Sequence, residues 1–189
     1  GEAVWGAARG VQNFVYLKIH SGVGGAVFVD GRCVVGSNGG AGEIGHVSLV
    51  PPGPICRCGN RGCLEAYAGI PAVLQQLSPV HPGITLADLF ALYRRGDPSV
   101  LRIMSEAAQK VGQAAGMLCN ALNPELIVIG GSLSGLGEPF LTQVRPILDN
   151  VSIELNRGTR LEIGHLGRNA SAMGAVARAF QLFTKLQEA

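Results

Sequence analysis

The segment Gly42–Glu65 reads GEIGHVSLVPPGPICRCGNRGCLE. It places three thiols, Cys56, Cys58 and Cys63, within eight residues. Gly59 and Gly62 lie between them and let the backbone fold back, so the three sulfurs can aim at one centre. A closed tetrahedral site needs a fourth ligand. His46 lies ten residues before Cys56, joined to it by a loop carrying Pro51, Pro52 and Pro54. Together His46, Cys56, Cys58 and Cys63 make a Cys3His set that suits Zn2+. The competing reading is three buried or redox-active cysteines beside an unrelated histidine. Thiols this crowded in a cytoplasmic chain more often coordinate metal. Four filled positions leave none open, so the expected role is structural. The metal would cross-link the run from Gly36 to Gly62, about 27 residues in which no regular element is expected and far longer than ordinary connections. Structural zinc supplies on the order of 10 kcal/mol at neutral pH.

Around this segment the chain has 189 residues, 47% hydrophobic and 15% charged, with 28 glycines. That suits one domain with a real core and excludes a disordered chain. The glycines have no three-residue period, which excludes collagen. No apolar run is long enough for a membrane span, and no signal peptide is visible. A formal net charge of +2, with the basic residues scattered, gives no case for nucleic-acid or membrane-surface binding by these residues. Five cysteines, an odd number without a secretory signal, argue against a disulfide framework and for the cytoplasm. Cys33 and Cys119 read as small buried hydrophobes. The first residue is Gly1, inside an expected helix from Glu2 to Arg9, so the chain is expected to be a piece of something longer.

Strands are expected at Asn13 to Ile19, Ala26 to Val29 and Arg32 to Val35, the last two joined by the hairpin turn Asp30-Gly31. Leu64 to Leu77 is helical in pattern but interrupted by Gly69 and Pro71. Helices are expected at Leu86 to Arg95 and at Ser99 to Leu122. The second carries Ala107, Ala108, Val111, Ala114, Ala115, Leu118 and Leu122 on one face. With Gly112 and Gly116, that face suits close packing, either within the chain or against another subunit. Leu126 to Ile129 reads as a strand buried on both sides. A helix from Glu138 to Asp149, a strand from Arg160 to Ile163 and a helix from Ala170 to Leu186 complete a mixed α/β order with a parallel part.

Two carboxylates flank the metal ligands. Glu43 precedes His46 by three residues and Glu65 follows Cys63 by two. Glu65 also suits the first turn of a helix, where the dipole favours an acid. With a metal-fixed imidazole, the pair could line a pocket for hydroxyl groups. Two glycine turns, Ser21-Gly22-Val23-Gly24-Gly25 and Gly130-Gly131-Ser132, could bring backbone N–H groups to a phosphate, though each alone is a weak signal. His20, His81 and His165 have no ligand-like company.

Gly42-Glu43-Ile44-Gly45-His46, followed by Cys56-x-Cys58-Gly59-x-x-Gly62-Cys63-x-Glu65, resembles the signature of the ROK family of repressors, open reading frames and sugar kinases. The preceding strand-turn-strand and the later strand with Gly130-Gly131 resemble the rest of it. The resemblance implies the C-terminal lobe of an actin-like, ribonuclease-H-like ATPase fold spanning residues 1–189, with the N-terminal lobe outside the chain. It implies that Glu43, His46 and Glu65 contact a sugar, and that His46, Cys56, Cys58 and Cys63 bind zinc. It also implies a homodimer. Family kinases carry a catalytic aspartate just before the helix where this chain begins; Asp30, Asp88, Asp97 and Asp149 do not fit that role, so this chain alone is expected to be inactive. Kinases of the family have Gly-Thr-Gly where this chain has His20-Ser21-Gly22, and a histidine there would crowd a phosphate. The expected function is therefore the sugar-sensing and dimerisation part of a ROK-type regulator that reaches DNA only through an upstream helix-turn-helix. The alternatives are the C-terminal half of an ATP-dependent hexose or amino-sugar kinase, and a zinc-stabilised interaction domain with no sugar pocket.

Overall fold

The computed structural model describes residues 1–187, with backbone alone from residue 181 onward. Five strands form one sheet in the order β3-β2-β1-β4-β5. They are β1 (Phe14–Ile19), β2 (Val23–Val29), β3 (Arg32–Cys33), β4 (Leu126–Gly131) and β5 (Arg160–Ile163). β1 pairs antiparallel with β2, and β2 with β3; β1 pairs parallel with β4, and β4 with β5. An antiparallel meander joined to parallel strands by helical crossovers is the layout of an actin-like lobe. The period of two in β1 sorts the core into two faces. Val15, Leu17 and Ile19 join the large cluster under the crossover helices with Ile127 and Ile129, whereas Phe14 joins Leu126, Val128 and Ala8 on the opposite face.

The helices are α1 (Glu2–Trp5), α2 (Glu65–Ala68), α3 (Ile70–Leu77), α4 (Leu86–Arg95), α5 (Pro98–Leu122), α6 (Glu138–Val151) and α7 (Ala170–Gln187). Helix α5 is fixed at both ends by local chemistry. The Asp97 carboxylate accepts from the Ser99 and Val100 N–H groups, and Asn123 turns left-handed at φ 45 before Pro124. Its small-residue stripe lies against α6: a Cβ on Gly112 would stand 2.6 Å from Ile147 Cβ, and one on Gly116 would stand 2.5 Å from Val151 Cβ. The stripe is thus a packing face within the chain. Leu118 is half-buried and Leu122 exposed, so the buried face stops a turn short of the helix end.

Several boundaries differ from the sequence expectation. The first helix ends at Trp5 rather than Arg9, because the buried Glu2 carboxylate turns back to take the Ala7 N–H at 2.8 Å and also holds the Leu166 N–H at 2.9 Å. β2 begins at Val23, three residues earlier than expected, since Gly24 and Gly25 pair with Lys18 and Leu17 instead of turning. β3 stops at Cys33, and Cys33 is exposed rather than buried, because β3 is an edge strand of two residues. Cys119 is buried on α5. The run from Gly36 to Gly62 is not wholly irregular: Ile44–His46 form a 3-10 turn, and isolated bridges join Ser48 to Cys63 and Ile55 to Arg61. No described helix is long and apolar enough to cross a membrane.

Candidate metal centre and adjoining carboxylates

The loop that carries Glu43 and His46 lies directly on the backbone of β2. Gly25 N–H donates to the Gly42 carbonyl at 2.7 Å. A Cβ on Gly45 would stand 1.9 Å from the Val23 carbonyl oxygen, so no side chain fits at that contact. Ile44 buries itself between these glycines, and the 3-10 turn lifts Glu43 and His46 to the same side. The cysteine segment is folded by a second set of backbone bonds. Cys56 N–H donates to the Asn60 carbonyl at 2.8 Å, and Gly59 N–H to the Cys56 carbonyl at 2.9 Å. Gly59 at φ 89 and Gly62 at φ 76 make the reversals that only glycine adopts without strain.

The ligand atoms of His46, Cys56, Cys58 and Cys63 all lie within 4.8 Å of one another. Cys58 Sγ is 3.7 Å from Cys63 Sγ, and Cys56 Sγ is 3.6 Å from His46 Nδ1. A tetrahedron with metal–sulfur bonds of about 2.3 Å and a metal–nitrogen bond of about 2.05 Å has S–S edges of about 3.8 Å and S–N edges of about 3.6 Å. The four residues thus fit a tetrahedral metal ion. Without a cation the thiols disfavour one another as thiolates: burial, then the neighbouring Cys58 and Cys56 sulfurs, push Cys63 up to about 12. The exposed Cys58 is held below the usual thiol range, first by a backbone hydrogen bond from Asn60. With Nδ1 on the metal side, His46 Nε2 is left facing Glu43, whose Oε2 stands 3.9 Å away. A metal bound here would orient that ring.

Glu65 sits in the first turn of α2 and is buried, with its carboxylate directed back toward the metal ligands. Val23 N–H donates to Oε2 at 2.8 Å. Arg57 forks onto both oxygens, Nε to Oε1 at 2.5 Å and Nη2 to Oε2 at 3.1 Å. Burial alone would raise this carboxyl, but the Val23 N–H and the Arg57 guanidinium outweigh it and hold it below the usual carboxylate range. Arg57 was not singled out from the sequence. An arginine between two cysteines in an exposed turn carries no periodic or spacing signal, and its contact appears only once the turn is folded.

The two glycine turns come together at the carboxyl ends of β1 and β4, where Ile19 is in register with Gly131. His20 and Ser132 face each other there, and the His20 Nδ1 hydrogen-bonds the Ser132 Oγ. Gly130 and Gly131 have local reasons to lack a side chain. A Cβ on Gly130 would meet the Tyr16 hydroxyl at 2.2 Å, and one on Gly131, at φ 79, would meet the Ile19 carbonyl oxygen at 2.5 Å. A Cβ on Gly24 would meet nothing within 4 Å, so that position faces open space. Ser21 is exposed. His81 is tied to the α5 cap, 2.9 Å from Ser99 Oγ, while His165 gives its backbone N–H to Glu2.

The arrangement is thus an actin-like lobe with a Cys3His cluster flanked by the carboxylates of Glu43 and Glu65. Residues 1–181 match the ROK family, and the chain belongs to that family. It is 32% identical to a glucokinase of Halalkalibacterium halodurans over 92% of this chain and 58% of that protein. It is 31% identical to a xylose repressor of Bacillus spizizenii over 92% of this chain and 46% of that protein. A solved ROK family glucokinase from Streptomyces griseus, in complex with glucose and AMPPNP, superimposes with a TM-score of 0.88 at 26% identity, covering 95% of this chain and 64% of that one. The chain thus spans about half the length of the curated relatives it matches.

Proposed function

We propose that the chain is the sugar-sensing and dimerisation part of a ROK-family transcriptional regulator, with Zn2+ as the structural metal on His46, Cys56, Cys58 and Cys63. The regulator reading is carried by the seat of His20. Its ring bonds Ser132 across the ends of β1 and β4, in the space that phosphates would need if the turns at Ser21, Gly22, Gly24, Gly130 and Gly131 cradled them. A phosphotransferase needs that space open; a sensor does not. Sugar hydroxyls would donate to Glu43 and Glu65, and the metal-held imidazole of His46 would fix a third contact. In this reading the chain is the C-terminal lobe of a cytoplasmic homodimer. An upstream segment would read DNA, and a bound sugar would bias two states of the whole regulator through its unequal affinity for them.

The test is made on full-length protein. Operator-type DNA binding that shifts with sugar, together with no ATP-dependent sugar phosphorylation in a coupled ADP assay, is the expected result. Phosphate transfer from ATP to a hexose or amino sugar would overturn the regulator reading as the sole function.

The second reading is the C-terminal half of an ATP-dependent sugar kinase. It is favoured by a cavity of about 460 Å3 just beyond the Gly131 turn, lined by Phe90, Tyr93, Gly135 and Leu136 among others, with room for a planar base. The aspartates argue against activity in this chain by itself. Asp30 is in the hairpin turn, Asp88 is locked in a capping box with Thr85, Asp97 caps α5 and Asp149 lies on α6, so none stands at the pocket. A His20→Gly variant that gains nucleotide affinity would mark His20 as the obstruction.

A further inference from the structure

The Glu65 carboxylate has only 7% of its side chain exposed, yet three donors already serve it. A carboxylate offers about four lone-pair sites. Val23 N–H and Arg57 Nη2 take two on Oε2, and Arg57 Nε takes one on Oε1, which leaves a single acceptor site on Oε1. Cys56 Sγ, 3.9 Å from Oε1, has no proton to give once it holds a metal. Arg57 is itself 71% exposed, so packing does not order it; the fork onto Glu65 does. Gly22 lies against the same fork. A Cβ there would stand 2.6 Å from Glu65 Oε2 and 2.8 Å from Arg57 Nη2. The next nearest atom is the guanidinium carbon of the same arginine, at 3.6 Å.

We propose that Arg57 and Gly22 are positioning residues for the sugar site: together they hold the Glu65 carboxylate so that one lone pair, in one direction, meets a ring hydroxyl of a neutral sugar. This deepens the sugar-sensing reading and rests on it. Gly22 then lacks a side chain for the sake of the carboxylate fork, not of a phosphate. An acceptor with one open direction discriminates between epimers, because a hydroxyl of the wrong configuration cannot reach it and leaves a buried charge short of a partner. The fork geometry belongs to arginine; a lysine supplies charge without two parallel N–H donors.

The experiment is calorimetric titration of full-length protein with epimeric pairs of hexoses and N-acetylhexosamines. Wild type is compared with Arg57→Ala, Arg57→Lys, Gly22→Ala and the Arg57→Ala/Gly22→Ala double variant. Metal content and thermal midpoint are followed in parallel. Arg57 is exposed and the atoms crowding a Gly22 methyl are side-chain ends, so both single variants are expected to keep fold and metal. Each should weaken the best sugar by about tenfold, the scale of one charge-assisted hydrogen bond, and bring its affinity closer to that of its epimer. Arg57→Lys should recover part of the affinity but not the epimer preference, and the double variant should match the singles. Unchanged affinity and epimer ratio in Arg57→Ala would overturn the proposal while leaving sugar sensing intact. So would a Gly22→Ala variant that loses nucleotide affinity with sugar binding preserved, or strictly additive losses. A wild-type protein that binds no sugar would instead remove the sugar-sensing reading itself.

Discussion

Single atoms decide much of this site. Cys63 is fully buried and its sulfur is 3.7 Å from that of Cys58, so a serine there has neither the soft donor nor the reach to close the cluster. Cys63→Ser should lose its bound metal and unfold at lower temperature, read by elemental analysis and a thermal melt. Gly45→Ala tests the contact of the loop with β2. Its methyl would stand 1.9 Å from the backbone oxygen of Val23, an atom that cannot swing aside, so loop and strand must part. The expected loss is about 1–3 kcal/mol in urea unfolding, the usual range for overpacking. At this scale the Cys3His cluster was legible, because thiols are rare and four ligands for one centre demand close spacing. Arg57 was not, because its role depends on where an eight-residue turn puts an exposed side chain.

Helices and strands announced themselves wherever a cap or a breaker stood at the boundary. Asp97-Pro98 and Asn123-Pro124 fixed α5 to within a residue of the reading, and Gly69 split α2 from α3 as expected. The start of β2 was missed because glycines were taken as turn residues, and only pairing across to β1 keeps Gly24 and Gly25 extended. The end of α1 was missed because a side chain, Glu2, took over backbone donors that helix propensity would have left in the helix. Two predictions belong here. Gly→Ala inside a helix is ordinarily stabilising by up to about 1 kcal/mol, but Gly112→Ala should lower the denaturation midpoint. Its methyl would lie 2.6 Å from Ile147 Cβ and 2.9 Å from the Val144 carbonyl oxygen on α6. The cap of α5 gives a pH test. The Ser99 hydroxyl, and then the Val100 N–H, hold the Asp97 carboxyl at about 2, below its ordinary 3.8. That stabilisation is complete above about pH 4 and fades as pH falls through about 2. Asp97→Asn caps nearly as well without a charge, so its urea stability should fall less steeply between those two pH values.

Across the whole molecule, the succession of three strands, helices, then strand, helix, strand and helix was enough to read the lobe, since right-handed crossovers leave few other sheets. It could not reveal that the first glycine turn serves two neighbours at once, with His20 on Ser132 and Gly22 on the Glu65 fork. That meeting is a product of β1 and β4 lying parallel and in register. The same architecture joins the thiol cluster to the flanking carboxylates. His46 directs Nδ1 to the thiol cluster and Nε2 to Glu43, so a metal bound there would orient the ring beside Glu43 as well as tie down the loop; on the proposed sugar-sensing function it would then support the sugar contact too. Stripping the metal with a chelator should therefore abolish sugar binding and lower the melting temperature together, and added Zn2+ should restore both. An apoprotein that binds sugar at full affinity would separate the two roles.

Of the four metal ligands only Cys58 is exposed; Cys56 and Cys63 are buried and His46 is half-covered. The consequence is one of rates. An incoming chelator or competing thiol would reach a bound ion most directly from the Cys58 side, so exchange is expected to begin by displacing that sulfur while the two buried thiols hold. How tightly the metal binds is then a property of the whole set, but how fast it leaves is a property of the short turn from Arg57 to Arg61.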